Sequence, residues 1–536
     1  MIGVLVLFLA TACLLPAQPA ETNTTTLPGP GELSQEVTNA PATNSPSALS
    51  TDTPPAPVTP TPVAPAEPAA PANAAFPAWN FQVLAALMTL ASLGGLLLYQ
   101  CGLTRAKNCG HTSTLLLVGV LFGLTGYWIG GFAVQMGGIG DAHAALAQPL
   151  PTAERIALDH EVEPVLFGHH WGLMGSSGFF VATDDASREG IALLFLIQAA
   201  WLALAIAVAL GAALERGRLL SMTFCAYLIG FLIYPLLADW IWGGGWLAEL
   251  GREFGLGHGF VDIGGGAVVH ETAGVLALVI AVVLGPRHGR FGRNTTADAI
   301  PGHNLPFVIL GSLILLISWM AANAFAGTTL TSAPASSSAG LAAIDTLLAA
   351  TGGLIATFIQ GAWQKRRPEP ARLCRGLLGG AVASCAGAGL FDPWAAFLIG
   401  AIAGLLVQAA MNALERKRID DPVGAAAVHG AAGAWGVVAV GFFANGAGGE
   451  GFNGVDKTVR GLFFGGNWHQ LAAQAIGCVT TFVVIYLLGY AGVSLVQKIV
   501  GNRADLANET AGLDLPEIGA LGYQGDVEPE NDNGKN

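Results

Sequence analysis

Residues 266–279 read GAVVHETAGVLALV and residues 425–438 read AAAVHGAAGAWGVV, so that the second stretch is a partial copy of the first. Six of the fourteen aligned positions are identical: Ala267/Ala426, Val269/Val428, His270/His429, Ala273/Ala432, Gly274/Gly433 and Val279/Val438. An aspartate precedes each histidine by eight residues, Asp262 in the first copy and Asp421 in the second. Small and apolar residues dominate both copies, which predicts two equivalent helices that each carry one histidine.

The composition of the whole chain places these helices in a membrane. Of the 536 residues, 53% are hydrophobic and only 11% are charged, and the mean hydropathy is +0.56. Ordinary soluble domains carry about 25% charged residues, and a soluble fold with so few would expose large apolar patches. The apolar content also excludes disorder over most of the chain. The composition therefore predicts an all-α, polytopic membrane protein.

Apolar segments recur between short polar breaks from residue 79 onward, and we predict eleven transmembrane helices. They are residues 79–101, 114–136, 189–213, 219–238, 264–285, 305–326, 339–362, 374–391, 394–414, 423–443 and 469–497. Five spans followed by five give the two halves opposite topology, the signature of an inverted repeat, and the eleventh span follows. The repeated histidines lie in the fifth and tenth spans. Eight helical residues rise about 12 Å, so each histidine is predicted near the middle of the membrane.

The positions of Lys and Arg predict which side each loop faces. With the start of the first span outside, the inside loops and tail carry 18 of the 23 basic residues. Cytoplasmic loops are enriched in Lys and Arg, so the split favours an N-out/C-in protein of the inner (cytoplasmic) membrane. The longest outside loop is then residues 137–187. No Lys or Arg precedes Arg105 and the net charge is −13, which excludes a role in binding nucleic acid.

The two ends of the chain differ from its middle. Residues 1–20 hold a short apolar run that ends in small residues, which is typical of a signal peptide. Residues 21–78 hold 13 of the 29 prolines and no Lys or Arg, which predicts a disordered linker. The membrane domain is therefore predicted at residues 79–500 and a cytoplasmic tail at residues 501–536.

The repeated histidines have two interpretations. A pseudo-two-fold axis in the membrane plane would bring His270 and His429 together, and ionisable side chains at this depth usually face a cavity or pathway. Two neutral imidazoles would offer donor and acceptor nitrogens to a small polar guest. The alternative is a pair of core histidines bonded to helix carbonyls. Asp262 and Asp421 also have a structural interpretation in place of a role in the pathway. Both are placed to cap a helix N-terminus.

These residues resemble those of the ammonium transporter family (the Amt/Rh/methylammonium permease group) over about residues 79–523. The most specific segments are WGGGW at 242–246, VDIGGGAVVHETAG at 261–274, HNLPFVILGSLILLISWMAANAF at 303–325 and DDPVGAAAVHGAAGAWG at 420–436. The resemblance implies a homotrimer in the lipid bilayer, with one pore in each protomer and no cofactor.

The resemblance also assigns expected roles to single residues. His270 and His429 correspond to the family's two pore histidines. Trp242 corresponds to the aromatic residue that holds the cation in the outer vestibule, and Asp262 corresponds to the acid near that outer site. The role of Trp242 makes independent physical sense, because a cation over an indole face is stabilised by about 1–2 kcal/mol when it is desolvated.

Three positions depart from the family pattern. The family stacks two phenylalanine rings above the histidines, whereas this chain has Trp201 and Ala322 at those positions. The hydroxyl that usually completes the outer site is replaced by Ala326. We expect the Trp201 indole to fill the space of the two phenyl rings and to add a second aromatic face beside Trp242.

The function implied by the resemblance is transport of ammonium or ammonia, with methylammonium as a related substrate. The departures at Trp201, Ala322 and Ala326, which alter the gate above the histidines, leave a second hypothesis open. It is an ammonium-binding sensor with little transport. A metalloenzyme built on the twin histidines is disfavoured because no third ligand has clear spacing, so we expect no enzymatic activity. The basic inside loops at 287–293, 365–375 and 416–418 suggest, through the resemblance, a cytoplasmic PII-type regulatory partner. The same Lys and Arg residues also have a simpler interpretation, in which they only set the orientation of the helices in the membrane.

Overall fold

The computed structural model describes residues 78–139, 158–183, 187–291, 300–328 and 335–523. The predicted signal peptide at 1–20, the predicted linker at 21–78 except for its last residue, and the end of the tail at 524–536 lie outside the described residues. Helices dominate the described part: α1 Ala78–Leu103, α2 Ala106–Met136, α3 Arg188–Ala213, α4 219–243, α5 Trp246–Phe254, α6 Gly266–Leu284, α7 Leu305–Thr328, α8 Ala335–Trp363, α9 Pro370–Cys385, α10 Pro393–Arg416, α11 Ala426–Phe443, α12 Trp468–Val500 and α13 Leu506–Ala511.

The helices agree closely with the spans predicted from the sequence. Each of the eleven predicted segments contains a helix, and ten helical stretches of the described chain are long and apolar enough to cross a membrane. The eighth predicted span, 374–391, differs most, because α9 has only 16 residues and ends at Cys385. A turn follows it, in which Gly389 adopts a left-handed conformation with φ of 80°. The all-α, multi-pass membrane fold is confirmed, while the number of eleven spans and the orientation stay predictions.

Glycines bring several of these helices into backbone contact. Gly95 of α1 faces Gly311 of α7, where an added Cβ would lie 2.5 Å from the Gly95 carbonyl oxygen. Gly353 of α8 is pressed in the same way against Gly376 of α9 and Gly404 of α10. Helices in lipid gain little from burying apolar surface against one another, so this close packing supplies much of their attraction.

Two short antiparallel ribbons lie in the predicted outside loop between α2 and α3. Strand β1 (Glu161–Val162) pairs with β4 (Met174–Gly175), and β2 (Val165–Leu166) pairs with β3 (His169–His170). The ribbons are joined to the end of α2, because Gly137 accepts hydrogen bonds from the His160 amide at 3.0 Å and the Ser177 hydroxyl at 2.6 Å. The described part of this loop is therefore folded against the helix bundle.

The chain after α12 lies at the opposite end of α2. Asp514 accepts hydrogen bonds from the amides of Gly110 at 3.2 Å and His111 at 2.8 Å, in the first turn of the long helical segment. The Asn108 side chain accepts a hydrogen bond from the Leu513 amide at 2.9 Å. Because α2 crosses the membrane between these contacts and the ribbons, the tail and the ribbons occupy opposite sides.

The same tail segment, residues 501–523, also contacts three further loops. Glu517 accepts a hydrogen bond from the Leu219 amide at 2.9 Å, at the start of α4. Glu509 accepts one from the His288 amide at 2.6 Å, after α6. The Tyr523 hydroxyl lies 2.8 Å from a ring nitrogen of His303, before α7. All of these loops were predicted to be inside, so the structure sorts them onto one side of the bundle; we call it the tail side and the other the ribbon side.

Candidate functional site

Asp262 organises the start of α6. Its carboxylate accepts hydrogen bonds from the amides of Gly266 at 2.6 Å and of Ala267 and Val268 at 2.9 Å. Gly265 precedes the helix in a left-handed conformation with φ of 79°, which only glycine adopts at little cost. The helix opens with a π-helical turn, Gly266–Glu271, that includes His270. Such turns are rare and occur frequently at functional sites.

The second copy of the repeat has the same local structure at the start of α11. Asp421 accepts hydrogen bonds from the amides of Gly424 at 3.1 Å, Ala425 at 3.0 Å and Ala426 at 2.8 Å. Gly424 is left-handed with φ of 81°, and a π-helical turn, Ala426–Ala431, includes His429. Both aspartates therefore cap helix N-termini, and each histidine follows its left-handed glycine by five residues.

Close contact between α6 and α11 brings the two histidines together. A Cβ on Gly274 would collide with the backbone of Gly430 and His429. In the equivalent contact, a Cβ on Gly433 would lie 2.7 Å from the Gly266 carbonyl oxygen and 2.9 Å from the Glu271 nitrogen. Gly274 and Gly433 occupy equivalent positions of the repeat. In each copy, this glycine leaves room for the backbone of the other copy's helix.

The two imidazoles meet inside the bundle. The Nδ1 atoms of His270 and His429 are 3.0 Å apart, and the ring centroids are 5.1 Å apart with 33° between the planes. His270 is fully buried and His429 is 4% exposed. The Nε2 of His270 has no hydrogen-bond partner among the described residues. The rings are thus bonded to each other, and at least one nitrogen of the pair is available to a guest.

The Trp319 ring, which the sequence analysis did not select, packs against both histidines. Its centroid lies 5.1 Å from that of His270 and 5.7 Å from that of His429, edge to face in both cases. Trp319 is 1% exposed, and its indole nitrogen has no partner within the described chain. The sequence feature that could have identified Trp319 is its spacing from Ala322. It precedes Ala322 by three residues and therefore lies on the same helix face.

Trp201 and Trp242 are neighbours, as the sequence analysis expected. Their ring centroids lie 6.1 Å apart at 56°, and both side chains are almost fully buried. The Trp242 indole donates a hydrogen bond to the Asp262 carbonyl at 2.7 Å. Its ring also touches Gly265, where an added Cβ would lie 3.2 Å from the ring edge. The indole pair therefore lies at the start of α6, on the ribbon side of His270.

The two departures on α7 are small, buried residues. Ala322 is 1% exposed and Ala326 is 4% exposed. Together with Trp319 they follow the i, i+3, i+7 spacing of one helix face. This face carries a large ring at the level of the histidines and two methyl groups in the next two turns, so bulk is concentrated near the imidazoles.

A narrow cavity lies on the tail side of His429. It is lined by Leu96, Tyr99, Gln100, Val208, Leu378, Val423, Gly424, Ala425, Val428 and His429. Its polar side chains are held in place, because Tyr99 donates to the Val423 carbonyl at 3.0 Å and Gln100 donates to the Ala207 carbonyl at 2.8 Å. The histidine pair thus lies between the indole pair on one side and this cavity on the other.

A buried ion network lies on the tail side and includes Asp420, three residues before the cavity-lining Val423. Arg287 bonds Asp420 through Nε at 2.8 Å and Nη2 at 3.0 Å, and it bonds Glu215 through Nη1 at 3.0 Å. Arg105 also donates to Glu215, with its Nε 3.0 Å from the same Oε2 atom. Burial favours the neutral acid, but Arg287 outweighs it and holds the pKa of Asp420 at about 2. Burial likewise opposes ionisation of Glu215, and Arg287 and Arg105 hold its pKa below the usual value.

The described residues contain no group of three or more His, Cys, Asp or Glu side chains placed to hold a metal ion. The site instead consists of two rings bonded to each other, aromatic faces and a narrow cavity, within a multi-pass bundle of membrane helices. These features define an α-helical membrane protein of the transporter and channel class.

The Ammonium Transporter Family profile matches residues 79–523, and the chain belongs to this family. It is 31% identical to the ammonium transporter Amt2 of Archaeoglobus fulgidus over 432 residues, which cover 80% of this chain and 84% of that protein. It is 29% identical to the putative ammonium transporter sll1017 of Synechocystis over 451 residues, 82% of this chain and 87% of that one.

Two solved structures share the fold of this chain. A protein described as a sensor Amt protein superposes with a TM-score of 0.68 at 25% identity, over 82% of this chain and 98% of that one. Mep2 of Saccharomyces cerevisiae superposes with a TM-score of 0.64 at 22% identity, over 80% of this chain and 90% of that one. At the latter identity the likeness concerns the fold alone.

Proposed function

We propose that this protein transports ammonium across the membrane through a pore that passes the indole pair, the histidine pair and the cavity on the tail side. The observation that carries the proposal is the 3.0 Å contact between His270 and His429, residues at equivalent positions of the repeat. Two core histidines satisfied by helix carbonyls would not need each other, whereas these rings are bonded to each other. The family membership supports ammonium as the substrate.

The indole pair recruits the cation. With centroids 6.1 Å apart, the Trp201 and Trp242 rings allow one ammonium-sized cation to approach both faces within the roughly 6 Å range of a cation–π interaction. The nearby Asp262 carboxylate is occupied with three backbone amides. Asp262 therefore acts as a positioning residue that fixes the start of α6, and its negative charge favours cations at the site.

The histidine pair has a definite hydrogen-bonding polarity. A 3.0 Å contact between two Nδ1 atoms requires one to carry a hydrogen and the other a lone pair. The first ring then has an acceptor at Nε2, and the second ring has an N–H donor there. A guest in the pore meets one acceptor and one donor, and a proton taken up at the acceptor leaves the bond between the rings intact.

The test is an ammonium pulse applied to the purified protein in proteoliposomes on a solid-supported membrane. A sustained current that scales with the ammonium gradient establishes electrogenic transport. Uptake without current establishes net movement of the neutral species. A pulse that gives neither uptake nor current, in liposomes that contain folded protein, contradicts transport.

A second candidate function is an ammonium sensor that binds but conducts poorly. The observations that favour it are Ala322 and Ala326 at the altered gate and the likeness to the sensor Amt protein. In the same pulse experiment a sensor gives only a brief transient, whose amplitude saturates with ammonium concentration. The duration of the current therefore separates the two functions.

Assembly, orientation and regulation belong to the same proposal. We propose a homotrimer in the inner membrane with the ribbon side outside and the tail side in the cytoplasm. A PII-type protein is the proposed regulatory partner on the tail side, where the basic residues at 365–367 and 416–418 are exposed. Mass measurement of the purified complex tests the trimer, and co-purification under nitrogen-replete conditions tests the partner. Repeated absence of a complex across effector states would count against the PII protein.

A further inference from the structure

Two acidic side chains meet where the ribbons pack against the end of α4. Asp239 begins the π-helical turn Asp239–Gly243 that ends this helix, and its side chain is fully buried. It faces the carboxyl group of Glu161 on strand β1 and the backbone amide of Gly175, the residue that pairs with Glu161 in the ribbon. The carboxyl oxygens of both acids are shielded from solvent. The ribbon is therefore seated on α4 through a buried pair of acids.

Glycines make room for the two carboxyl groups. A Cβ on Gly172 of the ribbon would lie 3.2 Å from a carboxyl oxygen of Glu161 and 2.9 Å from the Cα of Gly245. A Cβ on Gly245 would in turn lie 3.0 Å from a carboxyl oxygen of Asp239. Added to Gly138, a Cβ would collide with the Glu161 carboxyl. Residues without side chains thus enclose the pair on both sides of the contact and leave the two acids facing each other.

The contact between the two acids needs a proton. Ionised carboxylates have only acceptor oxygens, so two carboxyl groups bond each other only when one of them carries a hydrogen. Among the described residues, Glu161 is the titratable group that faces Asp239. Two ionised carboxylates in contact would repel each other, so the form with one proton holds the ribbon best. The other titratable groups of the elements packed here face different partners: His160 with Asp159, His169 with Glu253, Arg252 with Glu249, and Tyr234 with Asp262.

The turn that begins with Asp239 also contains Trp242 of the indole pair. Two further bonds fix this segment. The Trp240 indole donates to the Leu173 carbonyl of the ribbon at 2.8 Å, and the Gly245 amide donates to the Asp239 carbonyl at 3.0 Å. Because Trp242 lies between these anchored positions, the seating of the ribbon determines where its ring stands.

We propose that Glu161 and Asp239 share one proton, and that this acid pair positions Trp242 for the cation. When the pH on the ribbon side rises far enough to remove the shared proton, the two carboxylates repel each other and the ribbon loosens from α4. The indole pair then loses its geometry, and ammonium binds more weakly. Glu161 and Asp239 are thus positioning residues that act through Trp242. The effect on ammonium rests on the proposed function, whereas the seating of the ribbon does not.

The first test measures the seating of the ribbon in the full-length protein in detergent. Hydrogen exchange with mass spectrometry reports the amide protection of residues 158–176 across about pH 6–10, where buried carboxyl pairs lose their last proton. After correction for the intrinsic exchange rate, we expect wild-type protection to fall about tenfold for each pH unit above that loss, since one proton is linked to seating. Asp239→Asn and Glu161→Gln should each keep the protection at every pH, because an amide N–H then supplies the bond without titrating.

The second test measures the half-maximal ammonium concentration, counted as ammonium ion, in proteoliposomes with equal pH on both sides. Across the same pH range the wild-type value should rise about tenfold more than that of Asp239→Asn, with little change in the maximal rate, because an aromatic face is lost. Asp159→Asn is the matched control, since its carboxyl is 42% exposed two residues before Glu161. The control should follow the wild type in both tests.

Three results of the exchange measurement would overturn the proposal. They are wild-type protection that does not change with pH, the same loss of protection in Asp239→Asn and Glu161→Gln, and release of the ribbon at neutral pH by a chelator, which would assign the pair to a metal ion. Parallel ammonium dependence in wild type and Asp239→Asn would overturn the positioning of Trp242. A protein that neither takes up ammonium nor gives a current contradicts the proposed function, and hydrogen exchange still decides whether the acids share a proton.

Discussion

Gly274 of α6 lies against the backbone of Gly430, one residue after His429, with no room for a side chain between the two helices. This contact sets the separation of α6 and α11 at the level of the histidines. The bond between the two imidazoles therefore depends on a glycine four residues after one histidine and a glycine directly after the other.

Gly274→Val should push α6 and α11 apart and break the bond between the histidines. Overpacking at such a contact costs about 1–3 kcal/mol, so we expect a lower thermal midpoint together with loss of ammonium uptake. Gly94→Val is the matched control, because no atom lies within 4 Å of a Cβ at that glycine. Wild-type uptake in Gly274→Val would show that the close contact is not needed.

Replacing both pore histidines should change transport without unfolding the protein. We expect the His270→Ala/His429→Ala double variant to keep its oligomeric mass and to lose the wild-type flux or its selectivity for ammonium over other monovalent cations. His160→Ala controls for loss of a histidine as such, since its side chain is 72% exposed on the ribbon side. Unaltered methylammonium uptake and ammonium current in the double variant would remove the pore assignment.

Trp201→Ala should weaken ammonium binding at the indole pair and open the pore. Loss of one aromatic face costs about 1–2 kcal/mol for a desolvated cation, which is about a tenfold rise in the ammonium concentration that gives half-maximal transport. Trp242→Ala should act in the same direction. Trp468→Ala is the control, because that ring is 61% exposed and lies outside the pathway. An unchanged concentration dependence in Trp201→Ala would contradict the two-indole site.

Acid should destabilise the tail side through the Arg287 network. The pKa of Asp420 is about 2 in the fold, against about 3.9 in an unfolded chain. Because the folded pKa is the lower one, the stabilisation is fully present above about pH 4 and is lost as the pH falls towards 2. The thermal midpoint of the wild type should therefore fall across that window.

Asp420→Asn should remove much of this pH dependence and lower stability at neutral pH. Removing one partner of a buried pair costs about 3–5 kcal/mol, since it leaves Arg287 with reduced compensation. Asp505→Asn is the conservative control at an exposed position of the same side. Identical acid profiles for wild type and Asp420→Asn would show that the pair does not contribute to acid sensitivity.

The equivalence of His270 and His429 could be predicted from the sequence, because the repeat and the apolar spans fix their order and depth. The adjacency of Trp201 and Trp242 followed only from the resemblance to a known family. Trp319 was missed because only its three-residue spacing from Ala322 pointed to it, and the sequence of a single helix does not show which of its faces meets two other helices. The early end of α9 was missed as well, because a run of Gly and Ala residues permits both a helix and a turn.

The contacts of the tail have a consequence for the order of biogenesis. Glu509, Asp514 and Glu517 accept hydrogen bonds from loop amides that lie far earlier in the chain. The most distant of these is the amide of Gly110, some four hundred residues before Asp514. The acids that hold these loop amides are therefore synthesised after every membrane helix. The tail side reaches its native form only after translation has passed residue 517. A chain truncated before that point would leave these loop amides without their hydrogen-bond acceptors. Incomplete molecules would therefore differ from complete ones in the exposed backbone of the tail side.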